Sequence, residues 1–250
     1  MTVKRSNEIN PFAADFKTMV ALGLVPGWSV FRKFGMNPDV DAGTEQIWPP
    51  GTVQVLPTSA AVASVVSDNV GDDVAGVGAL TILVKGLDAN YELAEEEVIM
   101  TGAVAATTTQ TFIRLYRAYV ITSGTNETNA GNISLSIDGD LQAYIEAGEG
   151  QTHITQYTVP LSHTLVLDNY TVNSGQVGSQ ELAAQFCIRL FGESWRTLSD
   201  VFPYEGLYDI SAPRIVLPEK TDSYVRTAGA ANNVNVSAEY SGYLIHNDFL

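Results

Sequence analysis

The chain has 250 residues, of which 45% are hydrophobic, so it is long enough to bury a full core as one large domain or as two of ordinary size. Its formal net charge is -15, with 28 acidic residues against 13 lysines and arginines. This charge repels phosphate backbones and anionic lipid surfaces, and therefore argues against direct binding of nucleic acid or membrane. The single cysteine excludes an internal disulfide framework and a cysteine-based zinc site.

A short amphipathic helix is predicted near the N-terminus. Asn10 suits the N-cap position, Pro11 suits the first turn, and Gly23 and Pro26 end the segment. The apolar side chains with helical spacing are Phe12, Phe16, Met19 and Val20. A helix this short needs tertiary contacts, so the stripe either folds back on its own domain or docks on a neighbouring subunit. No apolar stretch typical of a signal sequence or a membrane span is found here, and we expect the protein to stay in the cell that makes it.

The segment up to residue 50 is interpreted as this arm followed by an extended connection. A strand is predicted over Trp28 to Phe34, before the turn-forming residues Asn37-Pro38-Asp39. Pro49 and Pro50 mark the boundary to the next unit. The predicted first region is therefore 1–50.

Residues 51–147 are predicted to form a first β-sandwich domain. Its hairpin signals are the turn 86–90, which separates two alternating segments, and the turn 138–140, which separates two more. The segment 111–121 fits a strand that is buried on both sides, because β-branched and aromatic residues dominate it. Arg114 and Arg117 project to opposite faces of that strand, so each needs a carboxylate or carbonyl partner if it is buried.

Residues 148–250 are predicted to form a second β-sandwich domain. Strands are expected near 152–159, 164–172, 182–191, 214–217, 224–227 and 234–245, with a long aromatic loop over 202–211. The clearest alternation places Val234, Val236, Ala238, Tyr240 and Leu244 on one face. The predicted fold class is thus all-β, with two sandwiches of jelly-roll type and a short N-terminal helical arm.

No group of residues in the sequence predicts catalysis, a cofactor or a metal. The histidines His153, His163 and His246 lack a second ligand at zinc-site spacing, and no nucleophile motif is present. An acidic, glycine-rich loop offers oxygen ligands for calcium, but its spacing matches no EF-hand; its residues are Asp68, Asn69, Asp72 and Asp73. We therefore expect a protein that is not an enzyme and that holds no metal or cofactor.

Several aromatic residues lie in or beside the long loop of the second predicted domain. They are Trp195, Phe202, Tyr204 and Tyr208. Aromatic rings of this kind bind sugar rings or anchor a protein interface. The alternative is that they fold onto the sandwich beneath them, since large rings usually bury themselves.

Short motifs that occur in a fixed order across nearly the whole chain are similar to those of a known group of proteins. They are Gly27-Trp28-Ser29-Val30, Lys33-Phe34-Gly35, the segments 37–41 and 47–48, 86–91, 114–120, 147–151 and 157–160, and Val216-Leu217-Pro218-Glu219-Lys220-Thr221-Asp222. In these motifs the chain resembles a group of uncharacterised virion proteins of tailed bacteriophages, especially marine ones. The resemblance implies a virion component synthesised in the host cytoplasm, and it leaves the position in the particle open.

These observations together predict a structural protein of a phage particle that assembles as a symmetric homo-oligomer with other virion proteins. The placement we expect is head decoration, in which the protein cements capsomers through its N-terminal segment. A tail or knob component is the rival structural placement. A host-surface module that recognises a glycan through the aromatic loop is the alternative from a different class.

Overall fold

The computed structural model describes residues 15–175, 182–203, 206–210, 215–229 and 233–250, with strand 206–210 known from its backbone. Nearly all of the regular structure in these ranges is β-strand, and the strands form small antiparallel sheets. The prediction of an all-β chain is therefore confirmed. The four sheets read as a propeller-like ring.

The described ranges contain the α-helix α1, Phe16–Ala21, and a 3-10 helix, Asn247–Phe249. The strands of the first half are β1 Trp28–Val40, β2 Gly43–Gln46, β3 Ala61–Ser67, β4 Ala79–Leu87, β5 Leu93–Ile99, β6 Ala106–Phe112, β7 Arg114–Ser123, β8 Ile133–Ile137 and β9 Asp140–Ile145. The later strands are β10 Tyr157–Thr158, β11 His163–Ser174, β12 Leu182–Arg189, β13 Arg196–Val201, β14 Gly206–Ile210, β15 Ile215–Leu217, β16 Asp222–Gly229 and β17 Val234–His246.

The helix α1 begins after Asp15, whose carboxylate accepts a hydrogen bond from the backbone N–H of Thr18 at 3.0 Å. The predicted cap at Asn10 and the residue Phe12 lie outside the described residues. At the other end, Gly23 has a φ of +69°, a conformation that suits glycine and ends the helix where the sequence predicts.

Two five-stranded sheets combine the beginning and the end of the chain. In sheet 1 the order is β1-β17-β11-β14, and β15 also pairs with β11. In sheet 2 the order is β10-β16-β12-β13, and β2 also pairs with β16. The region 1–50, interpreted from sequence as an arm with an extended connection, thus contributes two strands to these sheets. The pairings are long-range, such as Trp28 with Ile245, and no local pattern announces them. The domain boundaries 1–50, 51–147 and 148–250 stay a prediction.

The strands between β2 and β10 form the two remaining sheets. Sheet 3 has the order β6-β3-β8-β9 and sheet 4 the order β5-β4-β7. The predicted hairpins are confirmed, because β4 pairs with β5 and β8 pairs with β9 in antiparallel register. The turn between β8 and β9 uses Asp138 and Gly139, both at positive φ.

The buried apolar side chains fall into two main clusters. Core 1 takes its members from sheets 1 and 2 and their connections, and includes Phe31, Val172, Phe186, Val225 and Tyr240. Core 2 takes its members from sheets 3 and 4, and includes Val65, Ile82, Phe112, Leu115 and Leu135. Strands with one apolar and one polar face, as the sequence predicts, therefore bury the apolar face in one of the two cores.

Three local predictions are wrong. The predicted loop 202–211 contains the strand β14. The predicted continuous strand 111–121 breaks at Ile113, whose N–H bonds to the carbonyl of Leu87 and so separates β6 from β7. The predicted strand 152–159 is reduced to β10, because residues 152–155 bond to the backbone of several different segments, at Ala118, Met36 and Ile47, instead of one neighbouring strand.

Candidate functional site

The predicted docking stripe is partly covered by its own chain. Val20 is only 3% exposed and packs with Tyr243 and Ile245 on the outer face of sheet 1. Phe16 is 44% exposed, and its ring lies 5.2 Å from the ring of Trp28 in an edge-to-face contact. Met19 is half-buried, and Phe12 lies outside the described residues. The docking role of this stripe stays a prediction.

Next to α1 lies a hollow of about 530 Å³. Its apolar walls include Trp28, Val166 and Tyr243, and its rim carries Lys17 and Asp168. The ammonium of Lys17 and the carboxylate of Asp168 lie 2.6 Å apart, so an exposed ion pair fastens α1 to β11. Such a pair contributes only about 0–1 kcal/mol, and the apolar contacts do most of the anchoring.

Two of the four predicted sugar-binding aromatics, Trp195 and Phe202, have side chains that the structure describes. Trp195 stacks against the guanidinium of Arg189 at 4.9 Å and lies 4.4 Å from the ring of Tyr224, so neighbours of its own chain contact its ring. Phe202 is 66% exposed. Tyr204 lies outside the described residues, and Tyr208 is placed in β14 by its backbone. The ligand role of these four residues stays a prediction.

The acidic loop considered for calcium is organised by protein donors. Asp72 is fully buried, and its carboxylate accepts hydrogen bonds from Ser67 Oγ and from the backbone N–H groups of Ala79, Ala130 and Gly131, at 2.6 to 2.9 Å. These four bonds fix the loop against the end of sheet 3. Across the described ranges, no group of three or more His, Cys, Asp or Glu side chains is placed to hold a metal ion.

Two of the histidines face each other across a pair of strands. His163 and His246 are direct cross-strand partners in β11 and β17, with ring centroids 5.1 Å apart. Nδ1 of His163 lies 2.8 Å from the carbonyl oxygen of Leu161, and the N–H of Asp248 donates to Nδ1 of His246. Both imidazoles are thus held by local backbone contacts. His153 lies elsewhere, beside β1.

A buried charge cluster connects the two cores. The carboxylate of Asp222 accepts from Arg114 at 2.9 Å, from Arg189 at 2.6 Å and from the hydroxyl of Thr158 at 2.6 Å. Arg114 also donates to the carbonyl oxygen of Pro57 at 2.7 Å. Arg114 therefore has both a carboxylate and a carbonyl partner, as the sequence analysis requires of a buried arginine.

A second buried cation lies at the same junction. Lys33 of β1 is 7% exposed, and its ammonium donates to the carbonyl oxygen of Tyr116 in β7. Burial lowers the pKa of Lys33 well below its ordinary range, and the neighbouring charge of Arg117 lowers it further.

A groove with a volume of about 580 Å³ lies on the outer face of sheet 1. We call it the sheet-1 groove. Its lining comes from β1, β11, β17 and the segment that leads from β9 to β10. The lining residues are Arg32, Phe34, Gly35, Met36, Gln151, His153, Thr171, Asn173, Ser237, Ala238 and Glu239.

An ion pair with two parallel hydrogen bonds lies in this groove. Nε and Nη2 of Arg32 donate to the two carboxylate oxygens of Glu239 at 2.6 and 2.7 Å. These bonds raise the pKa of Arg32. A fork of this kind fixes both side chains in one plane, so the groove presents charged groups in a defined orientation.

Sequence reasoning missed the sheet-1 groove. Most of its polar members are alternate outward residues of three strands, and each of these resembles an ordinary solvent-facing position. Only the pairing of β1 with β17 and of β17 with β11 brings them together. The one available signal was the combination of an aromatic residue, Phe34, with outward charges in β1.

No protein-family model matches this chain, and no characterised protein matches it in sequence. Among solved structures it is similar to the T=1 particles derived from infectious bursal virus, with 12% identity over 97% of this chain and 76% of the other and a TM-score of 0.26. It is also similar to the VP2 subviral particle of infectious bursal disease virus, with 12% identity over 96% of this chain and 78% of the other and a TM-score of 0.26. TM-scores this low carry no argument about fold or function. No helix in the described ranges has the length and apolarity needed to cross a membrane.

Proposed function

We propose that this chain is a non-enzymatic structural protein of a bacteriophage virion, built from two β-sandwiches. The observation that carries the proposal is the strand order of sheets 1 and 2. Sheets 1 and 2 contain ten strands. When β14 and β15 are counted as one position, and the two-residue strand β10, which pairs with β16 beside β2, is left out, the eight positions along the chain are β1, β2, β11, β12, β13, β14 with β15, β16 and β17. Sheet 1 then has the order first-eighth-third-sixth, and sheet 2 has the order second-seventh-fourth-fifth. This is the order of an eight-stranded jelly roll, an architecture used by viral capsid domains and also by lectins.

The two separate clusters of buried residues support the division of the four sheets into two sandwiches. Core 1 contains side chains of sheets 1 and 2 and their connections, and core 2 contains side chains of sheets 3 and 4. Each pair of sheets thus encloses its own apolar layer, as sandwiches do. On this reading, the sandwich of sheets 3 and 4 is inserted between the second and third strand positions of the jelly roll.

The virion assignment rests on this architecture together with the ordered motifs that resemble phage virion proteins. The narrower proposal is head decoration as a symmetric homo-oligomer, with the N-terminal segment contacting the capsid. It is supported by the position of α1 at the surface, where Phe16 is 44% exposed beside an apolar hollow. An exposed aromatic beside a hollow is the usual form of an anchor for a protein partner. A tail or knob position is the rival placement.

The non-enzymatic part of the proposal is supported by what the buried carboxylates do. Asp72 accepts four hydrogen bonds that fix a loop, and Asp222 accepts from two guanidinium groups and a hydroxyl. Both groups therefore have structural partners for their acceptor positions.

A density map of purified particles of the phage that encodes this chain tests the placement. We expect the chain on the head, in a fixed number of copies around each symmetry axis. Density on the tail would overturn decoration but keep the virion role. Absence of the chain from particles, judged by mass spectrometry, would overturn both.

Reconstitution onto particles that lack the protein tests the docking segment. Phe16→Ala should weaken binding at least ten-fold, because it removes the exposed anchor. Leu22→Ala is the matched control, since Leu22 is 56% exposed, lies at the end of α1 and is outside the stripe. Equal binding by the two variants would overturn docking through α1.

A further inference from the structure

We propose that the sheet-1 groove binds a neutral carbohydrate. The proposal goes beyond the virion role and is independent of it, because it concerns a ligand of the isolated chain. Four kinds of observation carry it: the pattern of polar groups on the groove floor, the fixed ion pair, the rings at one wall, and the size and charge of the groove.

The floor of the groove is a regular array of hydrogen-bonding side chains. Strand register places Phe34, Glu239 and Thr171 side by side in one row across β1, β17 and β11. The next row contains Ser237 and Asn173. The array therefore alternates a carboxylate, an amide and two hydroxyls at the spacing of neighbouring strands, about 5 Å. Sugar hydroxyls both donate and accept, so a surface with both kinds of partner suits them.

The ion pair of Arg32 and Glu239 supplies pre-oriented partners. Each carboxylate oxygen can accept more than one hydrogen bond, so Glu239 retains acceptor capacity while Arg32 occupies one position on each oxygen. A vicinal pair of sugar hydroxyls can then donate to the carboxylate without breaking the ion pair. Because the pair is already formed in the free protein, binding orders few side chains and loses little entropy.

The wall of the groove carries two rings and an unsatisfied nitrogen. Phe34 and His153 have ring centroids 5.5 Å apart. Nδ1 of His153 is buried without a hydrogen-bond partner, and the nearest carboxylate oxygen, on Glu149, is 3.8 Å away. The ring of Phe34 gives the apolar face of a sugar a surface to pack on.

Size and charge select the class of ligand. A volume of about 580 Å³ is within the usual range for small-molecule sites and holds one or two sugar rings. The charges of Arg32 and Glu239 cancel inside the groove, while the chain as a whole carries -15. That net charge repels anionic sugars, so we commit to neutral ones.

An extended peptide fits less well than a sugar. Peptides that add to a sheet need an open strand edge, and the edge of β1 beside the groove is occupied at Met36. The N–H of Met36 donates to the carbonyl oxygen of His153, and Thr155 follows against Gly35. At Met36 the segment around His153 therefore takes the position in which a peptide strand would pair.

The test is saturation-transfer NMR with the full chain and the methyl glycosides of glucose, galactose, mannose and N-acetylglucosamine, with glucuronate as the anionic comparison. We expect transfer to at least one neutral glycoside. Titration should show binding at least ten-fold weaker in Glu239→Gln, which removes the charged acceptor. Asn173→Ala should weaken binding as well without touching the ion pair.

Asn235→Ala is the matched control, because Asn235 is exposed on the same strand as Glu239 but does not line the groove. It should bind like the wild type, and circular dichroism should show that all three variants fold. The proposal is overturned if no neutral glycoside gives transfer, if glucuronate binds best, or if Glu239→Gln and Asn173→Ala bind as tightly as the control. None of these outcomes bears on whether the chain is found in particles.

Discussion

The guanidinium of Arg114 and the carboxylate of Asp222 form a buried ion pair that connects sheet 4 to sheet 2. Nε of Arg114 lies 2.9 Å from Oδ1 of Asp222, and the side chains are only 3% and 5% exposed. Core 2 and core 1 are thus joined by a charge contact between strands β7 and β16. A buried pair is costly to break, because the remaining partner keeps an uncompensated charge away from water.

Replacing Asp222 by Asn should therefore destabilise the chain strongly. The variant leaves Arg114 buried without its counter-charge, and we expect the free energy of unfolding to fall by about 3–5 kcal/mol. Urea unfolding followed by tryptophan fluorescence measures this loss. The control is Glu95→Gln, which breaks the exposed pair with Lys85 and should cost at most about 1 kcal/mol. If both variants lose the same free energy of unfolding, the buried ion pair of Asp222 contributes no more to stability than an exposed pair does.

The buried Lys33 predicts a specific dependence of stability on pH. Burial lowers the pKa of Lys33 in the folded state, whereas the unfolded chain keeps the ordinary value of 10.5. Between these two values the unfolded state binds more protons, so stability rises as pH rises through that window. Below the lowered pKa the full penalty of burying the charge is present.

The variant Lys33→Met removes this titration. We expect its unfolding free energy to lack the increase that the wild type shows on the alkaline side of neutrality, measured by urea unfolding up to about pH 10, where unperturbed tyrosines begin to titrate. Lys85→Met is the control, because Lys85 is partly exposed and paired with Glu95. If the unfolding free energy of Lys33→Met rises with pH as steeply as that of the wild type, the lowered pKa of Lys33 is contradicted.

The packing of α1 on sheet 1 can be tested at one residue. Val20→Asp places a charge against Tyr243 and Ile245, and it should detach the helix because a six-residue helix is not stable alone. Hydrogen exchange of the amides in 16–21 should become fast while the amides of core 1 stay protected. Leu22→Asp adds the same charge at an exposed position and should leave this protection unchanged. Slow exchange in the Val20 variant would contradict the proposed contact.

A larger residue at Gly242 in β17 should clash with the neighbouring strand. A Cβ atom at this position would overlap the carbonyl oxygen of Val166 in the neighbouring strand, so Gly242→Ala requires the backbone to move. We expect a loss of about 3 kcal/mol, measured as a lower midpoint in urea. At Gly175 the nearest atom to an added Cβ is 3.5 Å away, and Gly175→Ala should change stability by no more than about 0.5 kcal/mol. Similar midpoints for the two variants would show that β17 and β11 are not packed this closely.

Sequence alone predicts the strands that carry their own pattern. Val234, Val236, Ala238 and Tyr240 alternate with polar residues, and all four are buried in core 1 as expected. The hairpins around residues 86–90 and 138–140 also follow from local turn residues. In these places the local preference and the tertiary contacts agree, which is why the prediction succeeds.

The strands that sequence misses depend on distant partners. β2 has the sequence Gly-Thr-Glu-Gln, which has no strand pattern, and it exists because β16 provides the hydrogen bonds. β13 has mostly exposed residues and follows from pairing with β12. The sheet-1 groove could not be predicted from the sequence for the same reason, because Phe34, Glu239 and Thr171 meet only through the register of strands that are distant in the chain. A single sequence carries no information on which strands become neighbours.

The pairing of β1 with β17 has a consequence for synthesis on the ribosome. β1 emerges early, but its only strand partner in the described sheets is β17, which emerges after every other strand of those sheets. Strands β3 to β9 pair only with one another and can complete core 2 while translation continues. During that interval β1 lacks its strand partner, so the nascent polypeptide exposes unpaired backbone groups that chaperones or other copies of the chain can bind. Slowing or stalling elongation before residue 234 should therefore enrich aggregates and chaperone complexes in which the middle of the chain is already protease-resistant.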